Sequence, residues 1–153
     1  MSDPGGLDNK NLTNVGCTVE ECRIISLPKI LDDRGNLTFI EGGHHIPFTI
    51  QRVYWIYDVP GGEVRAGHAY KQSHEFIIGL SGSFDVVLND GITEKIFSLN
   101  RSYFGLYVPS MIWRELENFS TNALCMILSS SAYSEEDYIR NQQDFLYLRG
   151  VTK

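Results

Sequence analysis

A histidine and a glutamate lie at the spacing of a metal-binding motif, in a segment that lacks one of the usual ligands. The segment runs from Gly62 to Gly82 and follows the pattern Gly-x5-His-x-His-x4-Glu-x6-Gly, with His68 and Glu75 in place and Tyr70 at the second histidine position. A divalent cation held by nitrogen and oxygen atoms normally takes three or four protein ligands, mainly imidazoles and carboxylates. Two such ligands make a poor metal site, so this segment favours chemistry that needs no metal.

A second segment, residues 109–118, resembles the second motif of the cupin proteins and carries another change of residue. The cupin motif is approximately Pro-x-Gly-x2-His-x3-Asn, and the segment PSMIWRELEN places Arg114 at the position of its histidine. Because arginine does not lose its proton, Arg114 puts a fixed positive charge where a cation would have to sit. In a cupin barrel the two motifs lie on consecutive hairpins, which would bring four side chains around one cavity: His68, Tyr70, Glu75 and Arg114.

His68 is the candidate general base of this cavity. A free imidazole has a pKa of about 6.5, so it takes up and releases a proton near neutral pH. Cations lie close to it in the sequence, with Arg65 three residues before it and Lys71 three residues after it. A neutral base among cations suits an anionic substrate, because the planar fork of arginine matches phosphate oxygens. Aromatic side chains such as Tyr54 are suited to stacking on a base or a sugar ring.

The elements that must position these residues are short strands. From about residue 22 to residue 129, runs rich in β-branched and aromatic residues alternate with turn signals such as DDRG, VPGGE and ENFSTN. They predict about ten strands in an all-β fold, a cupin-type jelly-roll β-barrel with a short C-terminal helix. The NDG after SFDVVL predicts a hairpin. The helix is predicted over YSEEDYIRNQQDFL, with Ser134 as its N-cap.

The composition indicates one soluble domain and argues against some classes of partner. The chain has 153 residues, of which 42% are hydrophobic and 21% charged, which is ordinary for a globular domain. We predict a flexible N-terminal tail over residues 1–19 and a single cupin domain over residues 20–150. The net charge of −6 argues against nucleic acid and anionic membranes as partners. No apolar run approaches the ~18 residues of a membrane span, and no signal pattern opens the chain, so we expect a cytoplasmic protein.

Most of the predicted domain resembles the sugar 3,4-ketoisomerases that act on dTDP-4-keto-6-deoxyglucose, the WxcM-like or FdtA/QdtA-type cupins. The segments that carry the resemblance are DRGNLTFIEGGHHIPFTIQRVYWIYDVP, RAGHAYKQSHEFIIGLSGS, FGLYVPSMIWRELENF and EEDYIRNQQDF. The resemblance implies a homodimer that binds a dTDP-4-keto-6-deoxyhexose and uses neither a metal nor a cofactor. It also implies a role in supplying 3-amino-3,6-dideoxy sugars for bacterial surface glycans.

The resemblance also implies roles for single residues. The catalytic base falls on His68, and the family's second histidine falls on Tyr70, so we predict these two as catalytic residues. The base would take the C3 proton, made acidic by the adjacent carbonyl, and return a proton to C4 through an enediol, with Tyr70 or Arg114 donating to the developing oxyanion. The predicted substrate-binding residues are Arg34, Arg52, Tyr54, Arg65, Lys71, His74, Glu75 and Arg114. Arg34 and Arg114 also fall on positions associated with the C4 epimer, but they indicate opposite epimers, so the product's stereochemistry stays open.

Two alternatives stay open from the sequence. The first is a metal-dependent cupin enzyme, such as a dioxygenase or a metal-assisted isomerase, with His68, His74 and Glu75 as ligands. The second is a non-catalytic cupin that binds a dTDP-sugar, in which Tyr70 marks the loss of activity. Metal analysis distinguishes the first from a ketoisomerase, and tight dTDP binding without turnover identifies the second.

Overall fold

The computed structural model of the protein describes residues 16–151. Within this range the chain forms twelve short strands and one α-helix. The strands are β1 Arg23–Ser26, β2 Lys29–Ile30, β3 Leu37–Thr38, β4 Arg52–Ile56, β5 Arg65–Tyr70, β6 Glu75–Ser81, β7 Phe84–Asn89, β8 Glu94–Leu99, β9 Phe104–Val108, β10 Trp113–Glu117, β11 Leu124–Ser129 and β12 Tyr138–Ile139, and the helix α1 is Gln142–Leu148. No helix in the described range is long and apolar enough to span a lipid bilayer.

Ten of the strands form two five-stranded antiparallel sheets. The first has the order β1-β9-β6-β11-β4 and the second β12-β5-β10-β7-β8, while β2 and β3 pair separately. Side chains of both sheets meet in one buried cluster, which includes Ile77 and Ile127 from the first sheet and Val86 and Leu88 from the second. Burial of one apolar face of each sheet against the other stabilises this arrangement. The predicted all-β, cupin-type jelly-roll barrel with a short C-terminal helix is confirmed.

The hairpin predicted at NDG is confirmed as the connection between β7 and β8. Gly91 has a positive φ of 98°, a conformation that glycine adopts without a steric penalty. The Asp90 side chain accepts hydrogen bonds from the backbone N–H groups of Ile92 and Thr93 at 2.9 and 2.8 Å. On its other edge β7 pairs with β10, the strand that carries Arg114.

The helix predicted over YSEEDYIRNQQDFL is wrong in its first half. Ser134 precedes a short 3-10 turn, Glu135–Asp137, and β12 follows before the α-helix begins after Asn141, whose side chain is its N-cap. Strand β12 lies along the edge of β5, with Tyr138 opposite Tyr70. The hydrogen bonds that complete this sheet edge outweigh the local preference for a helix.

The packed domain begins before the predicted boundary at residue 20. Residues 1–15 of the predicted tail lie outside the described residues, but Val19 is 1% exposed and belongs to the core cluster. The Val19 N–H donates a hydrogen bond to Asp90 at 3.0 Å. Arg149 Nη1 donates to the carbonyl oxygen of Cys17 at 2.7 Å. The last part of the predicted tail is therefore fixed to the domain.

Candidate active site

Strand β5, which the sequence patterns did not predict as a strand, carries His68 and Tyr70. A bulge sets its register against β10, because Ala66 and Gly67 have positive φ angles of 68° and 77° and the pairing shifts at this point. Alanine is uncommon in this left-handed region, and bulges are frequent beside active sites. The shift places His68 opposite Arg114. Because directly opposite residues share one face of a sheet, the bulge brings the two motif side chains together.

Glu75, on β6, is the buried anion of the site. Its Oε1 accepts a hydrogen bond from Arg114 Nη1 at 2.8 Å, and its Oε2 accepts one from the Tyr54 hydroxyl at 2.5 Å. Burial raises the pKa of Glu75 above its ordinary value, while the charge of Arg114 and the hydrogen bond from Tyr54 oppose that rise. Arg114 Nη2 donates to the carbonyl oxygen of Ile112 at 3.0 Å. Both terminal nitrogens of Arg114 are thus used inside the protein, Nη1 by Glu75 and Nη2 by the backbone of Ile112.

Tyr70 fills the space between His68 and this ion pair. It is fully buried, its ring stands edge-on to the imidazole with 4.9 Å between centroids, and its hydroxyl lies 3.4 Å from that of Tyr54. Burial, followed by the negative charge of Glu75, raises the pKa of Tyr70, so its phenol stays protonated at neutral pH. A protonated phenol is not a metal ligand. Tyr70 therefore belongs to a chain of buried hydroxyl groups.

His68 has a buried ring nitrogen, Nε2, without a hydrogen-bond partner in the described part of the chain. Among the described residues, three buried side-chain nitrogens lack a hydrogen bond, and all three belong to predicted site residues: Arg52 Nε, His68 Nε2 and Arg114 Nε. Burial lowers the pKa of His68 to about 3, and the positive charges of Arg114, Arg140 and Arg52 add to the effect. This value lies well below the pKa of about 6.5 that the sequence suggested. The imidazole is neutral at pH 7, which is the form that accepts a proton.

Tyr138 is a site residue that the sequence did not predict. Its ring centroid lies 5.1 Å from that of His68 and 4.6 Å from that of Tyr70. Arg140 Cζ lies 4.1 Å from the same ring. Sequence patterns placed Tyr138 in a helix, so its approach to His68 could not be seen. The pair of strand-forming residues, Tyr138 and Ile139, was the local signal for β12.

Arg52, on β4, stands between the buried site and the surface. Its Cζ lies 5.2 Å from the centroid of the Tyr54 ring and 5.6 Å from that of Tyr133. Tyr133 is 63% exposed, whereas the Tyr54 hydroxyl reaches the fully buried Glu75. A half-buried guanidinium in this position is suited to an anion that enters from solvent.

Three of the predicted binding residues are exposed and lie apart from this cluster. Arg34, in the loop between β2 and β3, forms an ion pair with Asp32 at 2.7 Å, and 89% of its side chain is exposed. Arg65 and Lys71, at the two ends of β5, are also exposed. In the described range neither forms a hydrogen bond or an ion pair with the buried cluster. Within one chain, the predicted site residues that lie together are therefore His68, Tyr70, Glu75, Arg114, Tyr54 and Arg52.

His74 does not join His68 and Glu75 in a ligand set. Its Nδ1 lies 2.6 Å from the Tyr107 hydroxyl, and the two rings are stacked. In the described range, ligand atoms of three His, Cys, Asp or Glu residues come within 4.8 Å of one another only at Glu41, His44 and His45. His45 Nδ1 there accepts a hydrogen bond from the backbone N–H of Glu41, which uses one of its ring nitrogens. The geometry therefore does not support the metal-dependent alternative built on His68, His74 and Glu75.

A large apolar groove lies away from the buried cluster. Its volume is about 830 Å³, and the side chains that line it include Ile78 and Leu80 of β6, Val53 of β4 and Leu31 of the β2–β3 loop. Ile78 alternates along β6 with Ile77, which faces the barrel core, so the groove lies on the outer face of the first sheet. Neither His68 nor Tyr70 lines it.

A family model and a curated relative each match most of this chain. The family model "FdtA: WxcM-like, C-terminal" matches residues 20–150. A curated relative from Aneurinibacillus thermoaerophilus, named TDP-4-oxo-6-deoxy-alpha-D-glucose-3,4-oxoisomerase, is 41% identical over 125 residues, which are 82% of this chain and 90% of the relative.

Two solved structures have the same fold and are described as enzymes of that reaction class. A 3,4-ketoisomerase from Helicobacter canadensis has a TM-score of 0.83 and 38% identity, over 85% of this chain and 98% of its own. A mutant of the 3,4-ketoisomerase QdtA from Thermoanaerobacterium thermosaccharolyticum, in complex with TDP-4-keto-6-deoxyglucose, has a TM-score of 0.81 and 37% identity, over 82% of this chain and 91% of its own.

Proposed function

Because the chain belongs to the FdtA family of WxcM-like domains, we propose that it is a 3,4-ketoisomerase of dTDP-4-keto-6-deoxyglucose. The observation that carries the proposal is the buried Nε2 of His68, which has no partner among the described residues and belongs to a neutral imidazole. The relative from Aneurinibacillus thermoaerophilus, whose name states this reaction, supports the substrate.

In this proposal His68 moves the carbon-bound proton. The C3 proton of the sugar is acidified by the carbonyl at C4, and the neutral imidazole accepts it as the enediol forms. The same group then returns a proton to C4, and the carbonyl is left at C3. Arg114 adds a fixed positive charge close to His68, which favours the negative charge that develops on the sugar oxygens.

The anionic part of the substrate would meet Arg52 first. A diphosphate near Arg52 would neutralise one of the cations that lower the pKa of His68. Substrate binding would therefore raise that pKa and make His68 a stronger base in the complex than in the free protein. Arg65, Lys71 and Arg34 remain proposed contacts for the outer parts of the nucleotide.

We also propose that the protein is a homodimer that works in the cytoplasm. Strand β1 forms one edge of the first sheet, and such an edge can pair with another chain. The apolar groove supports the same proposal, because Leu31 and Val53 in its lining are 71% and 45% exposed. A second copy of this chain is the proposed partner on that face.

The direct test is incubation of the purified protein with dTDP-4-keto-6-deoxyglucose, followed by NMR of the product. We expect the carbonyl at C3, and the spectrum also identifies the C4 epimer. Tight binding of dTDP without turnover would instead indicate a non-catalytic binding protein. A stoichiometric transition metal that is required for turnover would indicate the metal-dependent alternative.

A further inference from the structure

The loop between β3 and β4 carries a glutamate and two adjacent histidines on one side of a tight turn. Glu41, His44 and His45 stand at positions i, i+3 and i+4, and the backbone N–H groups of both histidines donate to the carbonyl oxygen of Glu41, at 3.2 and 3.0 Å. Residues at this spacing lie on the same side of a helical turn. Adjacent side chains of a strand would point to opposite faces, so the turn is what brings both imidazoles beside the carboxylate.

The three side chains lie within reach of one cation. One ligand atom from each lies within 4.8 Å of the other two, and the two imidazole rings have 4.5 Å between their centroids and 71° between their planes. Ligand atoms bonded to one tetrahedral Zn²⁺ at about 2.0 to 2.1 Å are about 3.3 Å apart. Because Glu41 and His44 are exposed and His45 is half-buried, side-chain rotations can close this gap without a change in the core.

The loop is anchored to the domain close to these residues. Gly43 has a positive φ of 73°, and its N–H donates to the carbonyl oxygen of Phe48 at 2.8 Å. Ile46 is 1% exposed and packs in a buried cluster with Ile78, on the outer face of the first sheet. The fold therefore orders the backbone of the loop before any ligand binds, which lowers the entropic cost of binding. The loop also lies outside the barrel that contains His68.

One hydrogen bond of the loop must open when a cation binds. His45 Nδ1 accepts a hydrogen bond from the backbone N–H of Glu41 at 2.8 Å. In a neutral imidazole with this partner, the proton is on Nε2 and the free electron pair is on Nδ1. A cation can take the electron pair of Nδ1 directly, or it can bind Nε2 after the proton moves to Nδ1. Both routes break the bond to Glu41, so the affinity should be moderate and the Glu41 amide should report binding.

We propose that Glu41, His44 and His45 form a binding site for a divalent transition cation, with Zn²⁺ as its probe. Two imidazoles and one carboxylate are the mixed nitrogen and oxygen donors that Zn²⁺ takes, whereas Mg²⁺ and Ca²⁺ take mainly oxygen ligands. Three protein ligands leave a fourth position to water on the exposed side of the loop. The site is separate from the proposed ketoisomerase chemistry, and none of its tests uses turnover.

The first test is calorimetric titration of the EDTA-treated and dialysed protein with ZnCl₂ at neutral pH. We expect one Zn²⁺ per chain with a Kd of about 1 to 100 µM, weaker than a four-ligand structural site. Glu41→Gln, His44→Asn and His45→Asn should each weaken binding at least about 10-fold, because each removes one ligand. Glu63→Gln, at an exposed glutamate of the β4–β5 loop, is the matched control and should keep the parent affinity.

The hydrogen bond that opens supplies a second readout. In ¹H–¹⁵N NMR spectra, one equivalent of Zn²⁺ should move the amide resonance of Glu41, which donates to His45 in the free loop. The amide of Ile92, which donates to Asp90 in the β7–β8 hairpin, should stay in place. His68→Asn should bind Zn²⁺ as the parent does, because the cavity of the barrel is not the site.

Three results would overturn the inference. The first is no heat and no movement of the Glu41 amide up to about 1 mM Zn²⁺. The second is parent-like affinity in Glu41→Gln, because the carboxylate is then not a ligand. The third is loss of Zn²⁺ binding in His68→Asn, which places the ion in the barrel and favours the metal-dependent alternative. Zn²⁺ that is lost in Glu41→Gln but kept in His68→Asn belongs to the loop, whether or not the protein isomerises the sugar.

Discussion

The lowered pKa of His68 predicts a specific loss of stability in acid. In the folded protein the imidazole stays neutral down to about pH 3, because it is buried among Arg114, Arg140 and Arg52. In the unfolded chain the same imidazole takes up a proton below a pKa of about 6.5. Between these two values the unfolded state binds one more proton than the folded state. Acid therefore favours unfolding through His68, and stability rises with pH across this window.

The size of the effect follows from the difference between the two pKa values. One bound proton changes the free energy of unfolding by about 1.4 kcal/mol per pH unit. A fall in the pKa of His68 from about 6.5 in the unfolded chain to about 3 in the folded protein therefore corresponds to about 4 to 5 kcal/mol of stability in total. Between pH 6 and pH 4.5, the titration of His68 lowers the free energy of unfolding by about 2 kcal/mol. For a chain of this size, that loss corresponds to a fall of about 4 to 8 °C in Tm.

Urea unfolding of the parent and of His68→Asn at pH 6 and pH 4.5 measures this contribution. Other groups titrate in both proteins, so the prediction concerns the difference between them. The parent should lose about 2 kcal/mol more than His68→Asn over this range. His44→Asn removes an exposed histidine from the β3–β4 loop and controls for the loss of an imidazole as such. Parallel losses in the parent and in His68→Asn would refute the argument that burial and the three arginines keep His68 neutral.

Four further predictions concern the same site and the assembly. His68→Asn should lower turnover at least about 10²-fold with dTDP affinity retained, and parent-like turnover would refute its role as the base. Glu75→Ala should destabilise the protein by about 3 to 5 kcal/mol in urea unfolding, because it leaves the buried Arg114 unpaired; a loss below about 1 kcal/mol would contradict this. Tyr70→Phe should lower turnover by about 10- to 10³-fold, because it removes one hydroxyl donor. Tyr70→His should stay active without binding metal at this position, because Arg114 keeps its positive charge in the cavity. Turnover assays and metal analysis of both variants check these expectations. Sedimentation should show a dimer, and a single 17.4 kDa species at micromolar concentration would contradict it.

Local patterns were enough to predict the all-β fold and the grouping of the motif residues. Turn residues such as those of NDG act within a few positions, and the hairpin there forms as the sequence predicts. Strand β10 pairs with the other edge of β7, and the bulge in β5 sets the register in which Arg114 lies opposite His68. The two motifs predicted that His68, Tyr70, Glu75 and Arg114 share one cavity, and the folded chain brings these four side chains together.

The charge state and the partners of these groups depended on contacts between distant parts of the chain. The pKa of His68 falls because strands β4 and β10 and the segment after β12 bring three arginines close to it, which the spacing of residues in one motif does not reveal. Arg114 is predicted to contact the substrate, and the motif gave no sign that its terminal nitrogens also donate to Glu75 and to the carbonyl oxygen of Ile112. Tyr138 lay in a segment with helical preference, and pairing with β5 across an interval of 68 residues turned it into a strand beside Tyr70. Desolvation and cross-strand pairing act through space, so only the folded chain determines them.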